Sequence, residues 1–115
     1  MRPLYVTSGE PAGIGPDICL SLAERVDTRP IVVLADIDLL KQRAEQLNLS
    51  VKLLEYRGQA QTAAKGQLYV EHVPLKAEVI AGELNPQNSA YVLEQLRRSA
   101  DYAMSGRSVG VATAP

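Results

Sequence analysis

The chain has 115 residues, of which 46% are hydrophobic and 22% charged, and its formal net charge is −1 at pH 7. This length fits one domain or part of one, with enough apolar side chains to bury a core. The near-neutral charge and the scattered Lys and Arg argue against nucleic acid and acidic membranes as partners. No apolar run approaches the roughly 18 residues of a membrane span. We therefore expect a cytoplasmic protein.

A glycine-rich loop lies between the first predicted strand and the first predicted helix. Residues 4–6 form a short apolar run typical of a strand, and the loop of residues 7–17 follows with three glycines. The next apolar residues have the i, i+4 spacing of one helix face: Ile14, Ile18, Leu22 and Val26. This helix should fade near residues 25–27. Cys19 lies near the stripe, and we interpret it as a small buried hydrophobe rather than a reactive thiol.

The second strand and helix have clear boundary signals. Residues 31–35 are an unbroken apolar run after Pro30, which suits a strand buried on both faces of a parallel sheet. Asp36 is a plausible N-cap, a role we favour over ligand contact, and Asn48 can take the left-handed turn that closes the helix. The apolar residues between them are Leu39, Leu40, Ala44 and Leu47.

The middle of the chain is less regular. Residues 51–56 predict a third strand, residues 57–66 a polar loop, and residues 68–73 a fourth strand. The mixed pattern of the fourth strand favours an edge or half-exposed position. Residues 75–84 fit either a short strand or an irregular connection. His72, a lone histidine in the fourth strand, is interpreted as an ordinary surface or partly buried residue rather than a metal ligand.

A long helix and a final strand complete the chain. Asn85 followed by Pro86 is a strong helix start, and Gly106 can end the helix. Its predicted apolar stripe consists of Val92, Leu93, Leu96, Ala100 and Ala103. Glu94 and Arg98 form an i, i+4 pair that we assign to a solvated face. Residues 108–113 predict another buried, central strand. The order βαβαβ, then β, α, β predicts an α/β fold with an open, mainly parallel or mixed sheet covered by helices.

The position of the last predicted strand bears on domain organisation. Ligands of open α/β sheets bind beyond the carboxyl ends of such strands, and here the sequence stops at Pro115 directly after one. We expect residues 1–115 to be the N-terminal part of a larger α/β enzyme, with the metal-binding and cofactor-binding part downstream. A small complete protein is the alternative.

The glycine loop allows three interpretations. Gly9-x-x-x-Gly13-x-Gly15 is similar to the nucleotide loop of short-chain dehydrogenases, and Asp36 lies where an acid would hold a ribose hydroxyl. Two residues oppose this: Pro16 lacks the N–H that phosphate would need, and Glu10 places a carboxylate in the cradle. No tyrosine is followed four residues later by the lysine of that family. The loop could also be merely a tight strand-to-helix turn, or the chain a non-catalytic interaction domain.

The same segment closely resembles the 4-hydroxythreonine-4-phosphate dehydrogenases of vitamin B6 (pyridoxal phosphate) biosynthesis. The resemblance rests on Gly-Glu-Pro-Ala-Gly-Ile-Gly-Pro at residues 9–16, on residues 35–44, on residues 82–94, and on Val-Ala-Thr-Ala-Pro at residues 111–115. Two residues depart from the family pattern. Ser8 stands where the family often has proline, and Ala114 where it often has glycine.

The resemblance implies a fold like that of isocitrate and isopropylmalate dehydrogenases. It also implies NAD-dependent oxidation of a secondary alcohol in a small phosphorylated substrate, followed by loss of carbon dioxide. A divalent metal would be held by three histidines downstream of Pro115, and the enzyme would be a homodimer. A related branch acts on four-carbon sugar acid phosphates such as threonate 4-phosphate.

The site residues that the resemblance suggests all lie in the glycine loop. The predicted pocket-lining positions are Glu10, Pro11, Gly13 and Gly15. No catalytic acid, base or metal ligand is assigned in this chain. The 115 residues alone are expected to be inactive.

Overall fold

A computed structural model describes residues 2–25, 29–58 and 62–115 of the chain. Five strands alternate with three α-helices and two short 3-10 turns. In chain order they are β1 (Leu4–Thr7), α1 (Gly15–Ser21) with a 3-10 turn at Leu22–Glu24, β2 (Ile31–Ala35), α2 (Ile37–Gln46), β3 (Lys52–Glu55), β4 (Gln67–His72), a 3-10 turn at Pro86–Asn88, α3 (Ser89–Met104) and β5 (Gly110–Thr113). This order confirms the predicted succession of elements.

The strands form a single sheet in the order β3-β4-β2-β1-β5. All four pairings are parallel, with Leu4 of β1 opposite Ile31 of β2 on one side and Gly110 of β5 on the other. The central strand β2 is fully buried from Val32 to Ala35. An unbroken apolar run is what a strand covered on both faces requires. The predicted parallel α/β sheet is confirmed.

Helices cover both faces of the sheet. On one face, α1 and α2 pack against the strands through a cluster that includes Cys19, Leu20, Val33, Leu40 and Val70. On the other face, α3 packs through Tyr91 against a cluster that includes Tyr5, Val32, Leu34 and Tyr69. Cys19 is fully buried, as predicted, and burial raises the pKa of its thiol to about 12.

Two strand positions differ from the sequence prediction. β4 lies between β3 and β2 and is not an edge strand. The charged residue Glu71 makes the sequence pattern of β4 mixed. It is accommodated in an interior strand because it accepts hydrogen bonds from Tyr102 and Arg98 of α3. β5 was expected to be buried and central, but among the described residues it pairs only with β1, and residues 111–113 are exposed.

The buried faces of two helices also differ from the predicted apolar stripes. In α1 the buried residues are Gly15, Pro16, Cys19 and Leu20, whereas Ile14 just before the helix is 60% and Ile18 44% exposed. Val26, the last residue of that stripe, lies outside the described residues. In α3 the buried face is formed by Tyr91, Gln95 and Ser99, and the predicted residues Leu93, Leu96, Ala100 and Ala103 are exposed. Polar contacts of Tyr91 and Tyr102, together with the packing of their rings against the second core cluster, hold α3 to the sheet.

The predicted helix boundaries are confirmed. Asp36 caps α2 by accepting hydrogen bonds from the N–H groups of Asp38 and Leu39, and Asn48 has a φ of 56° after the helix. Asn85 caps the turn that leads into α3. Residues 75–84 are an irregular connection with one isolated bridge between Ile80 and Glu83. The polar loop predicted at residues 57–66 has no helix or strand where it is described, and residues 59–61 lie outside the described residues.

None of the helices formed by the described residues combines the length and the apolar character that crossing a bilayer requires.

Candidate functional site

The glycine loop lies at the carboxyl end of the sheet, beside the end of β5. β1 ends at Thr7 and β5 at Thr113, and the two residues are opposite each other in register. The backbone N–H of Ala114 donates to Thr7 O at 3.0 Å, so the chain after β5 stays against the start of the loop. The carboxyl ends of parallel strands are where open α/β sheets place ligands.

Two glycines allow this close approach of the backbone. Gly9 has a φ of 73°, and a Cβ there would lie 2.5 Å from the carbonyl oxygens of Ala114 and Pro115. A Cβ on Gly15 would overlap the carbonyl oxygen of Ser8 and lie 2.8 Å from that of Pro115. The loop and the segment after β5 therefore fit together only because these positions lack a side chain.

A buried polar network joins the start of the loop to α3. The backbone N–H of Asp36 donates to Tyr91 Oη at 2.8 Å, and Tyr91 Oη lies 3.4 Å from Ser8 Oγ. Ser8 Oγ is in turn 2.9 Å from Leu34 O and 3.3 Å from Gln95 Oε1, either of which it can donate to. A proline at position 8 could make none of these side-chain bonds. Burial raises the pKa of Tyr91 to about 12, so its hydroxyl remains protonated at neutral pH.

Gln95 closes this network. The Gln95 side chain is fully buried, and its Oε1 accepts the backbone N–H of Gly9 at 3.0 Å. Its Nε2 has no hydrogen-bond partner among the described residues. A buried N–H group without a partner is costly, typically about 1–3 kcal/mol.

A cavity of about 240 Å³ lies between the loop, α3 and the end of β5. Its lining includes Gly9, Glu10 and Gln95. Val92, Leu96, Ala114 and Pro115 provide apolar walls, with Thr7 and Thr113 completing the lining. This combination of apolar walls and a few convergent polar groups is typical of a small-molecule site.

Arg43 of α2 forms hydrogen bonds with the glycine loop. Its side chain is only 7% exposed, and its Nη1 donates to Asp17 Oδ1 at 2.8 Å and to Gly13 O at 3.2 Å. Its Nη2 donates to Pro11 O at 3.0 Å. One guanidinium group thus fixes two backbone carbonyls of the loop, which its rigid fork of donors is suited to do.

The structure places the four predicted pocket residues at different depths. Glu10 lines the cavity. Pro11 is buried and Gly13 half-buried, and the carbonyl oxygens of both face Arg43. Gly15 packs against the backbone of Ser8 and Pro115. Their role in lining a ligand pocket stays a prediction, and Glu10 is the one whose position bears on it directly.

Sequence reasoning missed Gln95 and Arg43. Both lie on buried helix faces. The spacing of each from its neighbours in the sequence is a signal for this burial that the periodicity of apolar residues alone does not reveal. Gln95 follows the tyrosine at position 91 by four residues and precedes Ser99 by four, which marks a polar line along one face. Arg43 lies three residues after Leu40 on the predicted apolar face.

Three other candidate residues have structural roles. Both carboxylate oxygens of Asp36 are engaged, because Oδ1 caps α2 and Oδ2 accepts the N–H of Leu75 at 2.9 Å. The capping role is confirmed, and Asp36 is not poised to hold a ribose. His72 Nδ1 accepts the N–H of Ile37 at 3.1 Å. Across residues 2–25, 29–58 and 62–115, no group of three His, Cys, Asp or Glu side chains could hold a metal ion.

The Glu94–Arg98 pair forms as predicted but is not wholly solvated. Arg98 Nε donates to Glu94 Oε1 at 3.0 Å, and its Nη1 reaches the carbonyl oxygen of His72 at 3.1 Å. The Arg98 side chain is 25% exposed and therefore ties α3 to β4. Hydrogen bonds from Arg97 and Arg98 lower the pKa of the Glu94 carboxyl to about 2.

A larger open cleft of about 910 Å³ lies away from the glycine loop. Much of its lining comes from residues that precede strands: Arg2 and Pro3 before β1, Arg29 before β2, and Arg107 and Val109 before β5. It therefore opens mainly toward the amino ends of these strands. Ligands of open parallel sheets bind at the opposite end, so the smaller cavity at the glycine loop is the stronger candidate.

Comparison with known proteins shows the family to which the chain belongs. The family profile described as pyridoxal phosphate biosynthetic protein PdxA matches residues 27–115. The chain belongs to the PdxA family. Proteins named 4-hydroxythreonine-4-phosphate dehydrogenase from Stutzerimonas stutzeri and Vibrio cholerae are each 47% identical to it, over 99% of the chain. The chain spans 36% and 35% of the lengths of these two relatives.

A solved PdxA-family structure shows the same fold. The crystal structure of 4-hydroxythreonine-4-phosphate dehydrogenase from Klebsiella pneumoniae matches with a TM-score of 0.86 and 30% identity. The match covers 100% of this chain and 37% of that one. PdxA dehydrogenases have an isocitrate/isopropylmalate dehydrogenase-like fold, which confirms the fold predicted from the sequence. The resemblance in the sequence to the B6 enzymes is confirmed as well.

Proposed function

We propose that this chain is the N-terminal part of an NAD-dependent and metal-dependent dehydrogenase that oxidises and decarboxylates 4-phosphooxy-L-threonine in vitamin B6 biosynthesis. PdxA-family membership supports the reaction class. The observation that supports a role for these residues is the cavity at the glycine loop, whose lining includes Glu10. In this proposal, residues 1–115 contribute one wall of the cleft, and the reactive groups come from elsewhere in the protein.

The residues of this chain suit binding and positioning rather than proton transfer. Arg43 fixes the backbone of the loop, and the Ser8–Tyr91 network fixes its junction with α3. Glu10 is a charged side chain at the cavity, and its Oε1 lies 3.3 Å from the N–H of Ala12, which donates to it. These contacts hold one wall in a fixed shape, which is how a protein supplies orientation to a cofactor's chemistry.

The two expected cofactors fit this chain differently. NAD would supply the hydride acceptor, and Glu10 at the cavity offers a polar group toward it. The metal does not fit the described residues. They contain no cluster of three potential ligands, and the imidazole of His72 accepts a backbone hydrogen bond instead. We therefore assign the metal ligands to the rest of the enzyme.

Steady-state kinetics on the natural gene product tests the proposal. NADH formation is followed at 340 nm with NAD, a divalent cation and either 4-phosphooxy-L-threonine or threonate 4-phosphate. We expect turnover with the threonine derivative and a kcat/KM for it at least about tenfold above that for the sugar acid. A preference for threonate 4-phosphate would assign the protein to the related branch. Absence of NADH with both compounds would contradict the dehydrogenase assignment.

We further propose that the natural gene product is a cytoplasmic homodimer. Large apolar side chains are exposed along α3 and just before it, with Leu93 65%, Met104 89% and Leu84 79% exposed. Such side chains in one region favour burial against further protein. Light scattering after size-exclusion chromatography measures the mass directly, and we expect twice the mass of the gene product. A monomer at micromolar concentration would contradict the dimer.

A further inference from the structure

The larger cleft, of about 910 Å³, is lined by arginines that precede three neighbouring strands. Arg2 lies before β1, Arg29 before β2 and Arg107 before β5. β1 pairs in parallel with β2 on one side and with β5 on the other, and Arg2 and Arg29 each lie two residues before positions that are paired in register. Adjacent strands are only about 4.8 Å apart. The fold therefore gathers three cationic side chains at one end of the sheet from segments far apart in sequence.

Two of these arginines are held in place by neighbouring groups. Arg2 Nη1 donates to the carbonyl oxygen of Gly106 at 3.3 Å, next to Arg107 in the chain. The Arg107 guanidinium carbon lies 5.8 Å from the centre of the Tyr102 ring, within the range of a cation–π interaction. The Tyr102 ring packs against Tyr5, with 4.8 Å between ring centres. Both guanidinium groups thus have a defined place on the wall of the cleft.

The guanidinium groups keep donors for a further partner. A guanidinium group has five N–H donors. Arg2 and Arg107 each form at most one side-chain hydrogen bond with the described residues, and Arg29 forms neither a hydrogen bond nor an ion pair with them. All three residues are exposed, so an occupant of the cleft can reach them.

Positive charge in the cleft exceeds negative charge. Among the described residues that line it, Glu71 is the one carboxylate against four arginines. Glu71 is already engaged, because it accepts a hydrogen bond from a tyrosine hydroxyl at 2.6 Å and pairs with Arg98 at 3.4 Å. The fourth arginine, Arg57, pairs with Glu55 at 3.0 Å. The remaining three cations repel one another, and a bound anion would relieve this repulsion.

We propose that this cleft binds a diphosphate group, either as free pyrophosphate or carried by a nucleotide, through Arg2, Arg29 and Arg107. The planar fork of a guanidinium group matches pairs of phosphate oxygens. Two linked phosphate groups present oxygens to arginines from all three strands, whereas a single phosphate is small for a cleft of about 910 Å³. The half-buried rings of Tyr56 and Tyr102 line the same cleft and exclude water from one side of it.

The cleft and the cavity at the glycine loop share no lining residue among those described. The three arginines precede their strands, whereas the cavity lies at the carboxyl end of β1 and β5. Each of these two strands has four residues and spans about 13 Å. Both places can therefore be occupied at the same time, and the inference does not depend on the proposed dehydrogenase reaction.

Isothermal titration calorimetry of the natural gene product with pyrophosphate tests the inference, in buffer with EDTA and without NAD or substrate. We expect binding with a Kd that rises at least about threefold when NaCl is raised from about 50 to about 200 mM, because the charges are exposed and screened by salt. Orthophosphate reaches fewer of the arginines and should bind at least about tenfold more weakly. Absence of pyrophosphate binding, or equal binding of the two anions, would overturn the inference.

Comparison with ADP in the same buffer identifies the source of the diphosphate. A lower Kd for ADP than for pyrophosphate would show that the group is carried by a nucleotide. A lower Kd for pyrophosphate would show that the free anion is the ligand. Citrate carries a similar charge on carboxylates, and citrate binding as tight as that of both diphosphate compounds would contradict the assignment.

Two charge-removing variants locate the binding. In Arg29→Gln and in Arg107→Gln we expect the Kd for pyrophosphate to rise at least about fivefold, since each loses a charged donor to the anion. Lys41→Gln is the matched control, because it removes one exposed positive charge on α2, which packs on the opposite face of the sheet. Its Kd should stay within about twofold of the wild-type value.

Circular dichroism confirms the fold of each variant. If Arg107→Gln alters the fold through its contact with Tyr102, the result for Arg29→Gln decides. An unchanged Kd in folded Arg29→Gln would overturn the inference. An equal rise of Kd in Lys41→Gln would do the same, because it would show attraction to overall charge rather than to this cleft.

Discussion

Replacing Arg43 by methionine should destabilise the chain by about 3 kcal/mol. The substitution retains an unbranched apolar stem but removes all three hydrogen bonds of the guanidinium group. Two backbone carbonyls of the glycine loop, those of Pro11 and Gly13, lose their bonds to this donor, at about 1–3 kcal/mol for each buried group. The ion pair with Asp17 adds little, about 0.2–1 kcal/mol, because the Asp17 side chain is 37% exposed.

Urea unfolding of the chain, followed by circular dichroism at 222 nm, measures the effect. The free energy of unfolding should fall for Arg43→Met without a change in m-value, since the folded state remains compact. Asp17→Asn removes the ion pair alone and should cost less than about 1 kcal/mol. Arg97→Met, at an arginine 60% exposed on α3, is the matched control and should cost less than about 0.5 kcal/mol. An Arg43→Met variant no less stable than Asp17→Asn would refute the carbonyl-clamp argument.

Three further predictions follow from the same contacts. Gly15→Ala should lower the melting temperature far more than Gly13→Ala. A Cβ on Gly15 overlaps a backbone carbonyl, whereas the atom nearest to a Cβ on Gly13 is 3.5 Å away. Equal shifts of the melting temperature in calorimetry would count against the close packing. Tyr91→Phe should lower the free energy of unfolding in urea by about 1–3 kcal/mol, since the N–H of Asp36 loses its hydrogen-bond acceptor. An unchanged free energy of unfolding would mean that this N–H has another acceptor. Burial raises the pKa values of Cys19 and Tyr91 to about 12, so the unfolded chain loses these protons first as pH rises. Stability should therefore fall between about pH 9 and 12, with a shallower slope in Tyr91→Phe, and a flat profile would contradict the burial.

The helix boundaries were predicted correctly from local signals because the capping contacts that set them involve residues close in sequence. Asp36 caps α2 through N–H groups two and three residues away, and Asn85 accepts the N–H of Gln87, two residues away. The left-handed turn at Asn48 likewise needs no distant partner. The parallel order of strands was also predictable, because fully apolar runs such as residues 31–35 suit only strands covered on both faces.

The buried faces of α1 and α3 could not be predicted from apolar spacing. α3 turns Tyr91 and Gln95 inward because Ser8, Gly9 and Asp36 offer hydrogen-bond partners there, and those partners lie 55 to 87 residues away in sequence. Its apolar residues are left exposed as a result. Periodicity measures the average preference of side chains for burial and contains no information on such distant polar pairs.

The position of the glycine loop in the sheet was predictable, but the residues that pack against it were not. The glycine loop was expected at a ligand cleft, and the structure places it beside the ends of β1 and β5 with Glu10 at a cavity. The glycines were expected to admit a ligand. In the structure Gly9 and Gly15 admit the backbone of the chain itself, at Ser8, Ala114 and Pro115. That contact joins the two ends of the sequence, and no local pattern could have revealed it.

A crystal structure of the natural gene product with NAD bound tests the central claim most directly. The account predicts that the bound dinucleotide contacts the cavity between the glycine loop and α3, within reach of Glu10. A dinucleotide bound elsewhere, with the cavity beside Gln95 filled by protein side chains, would contradict it.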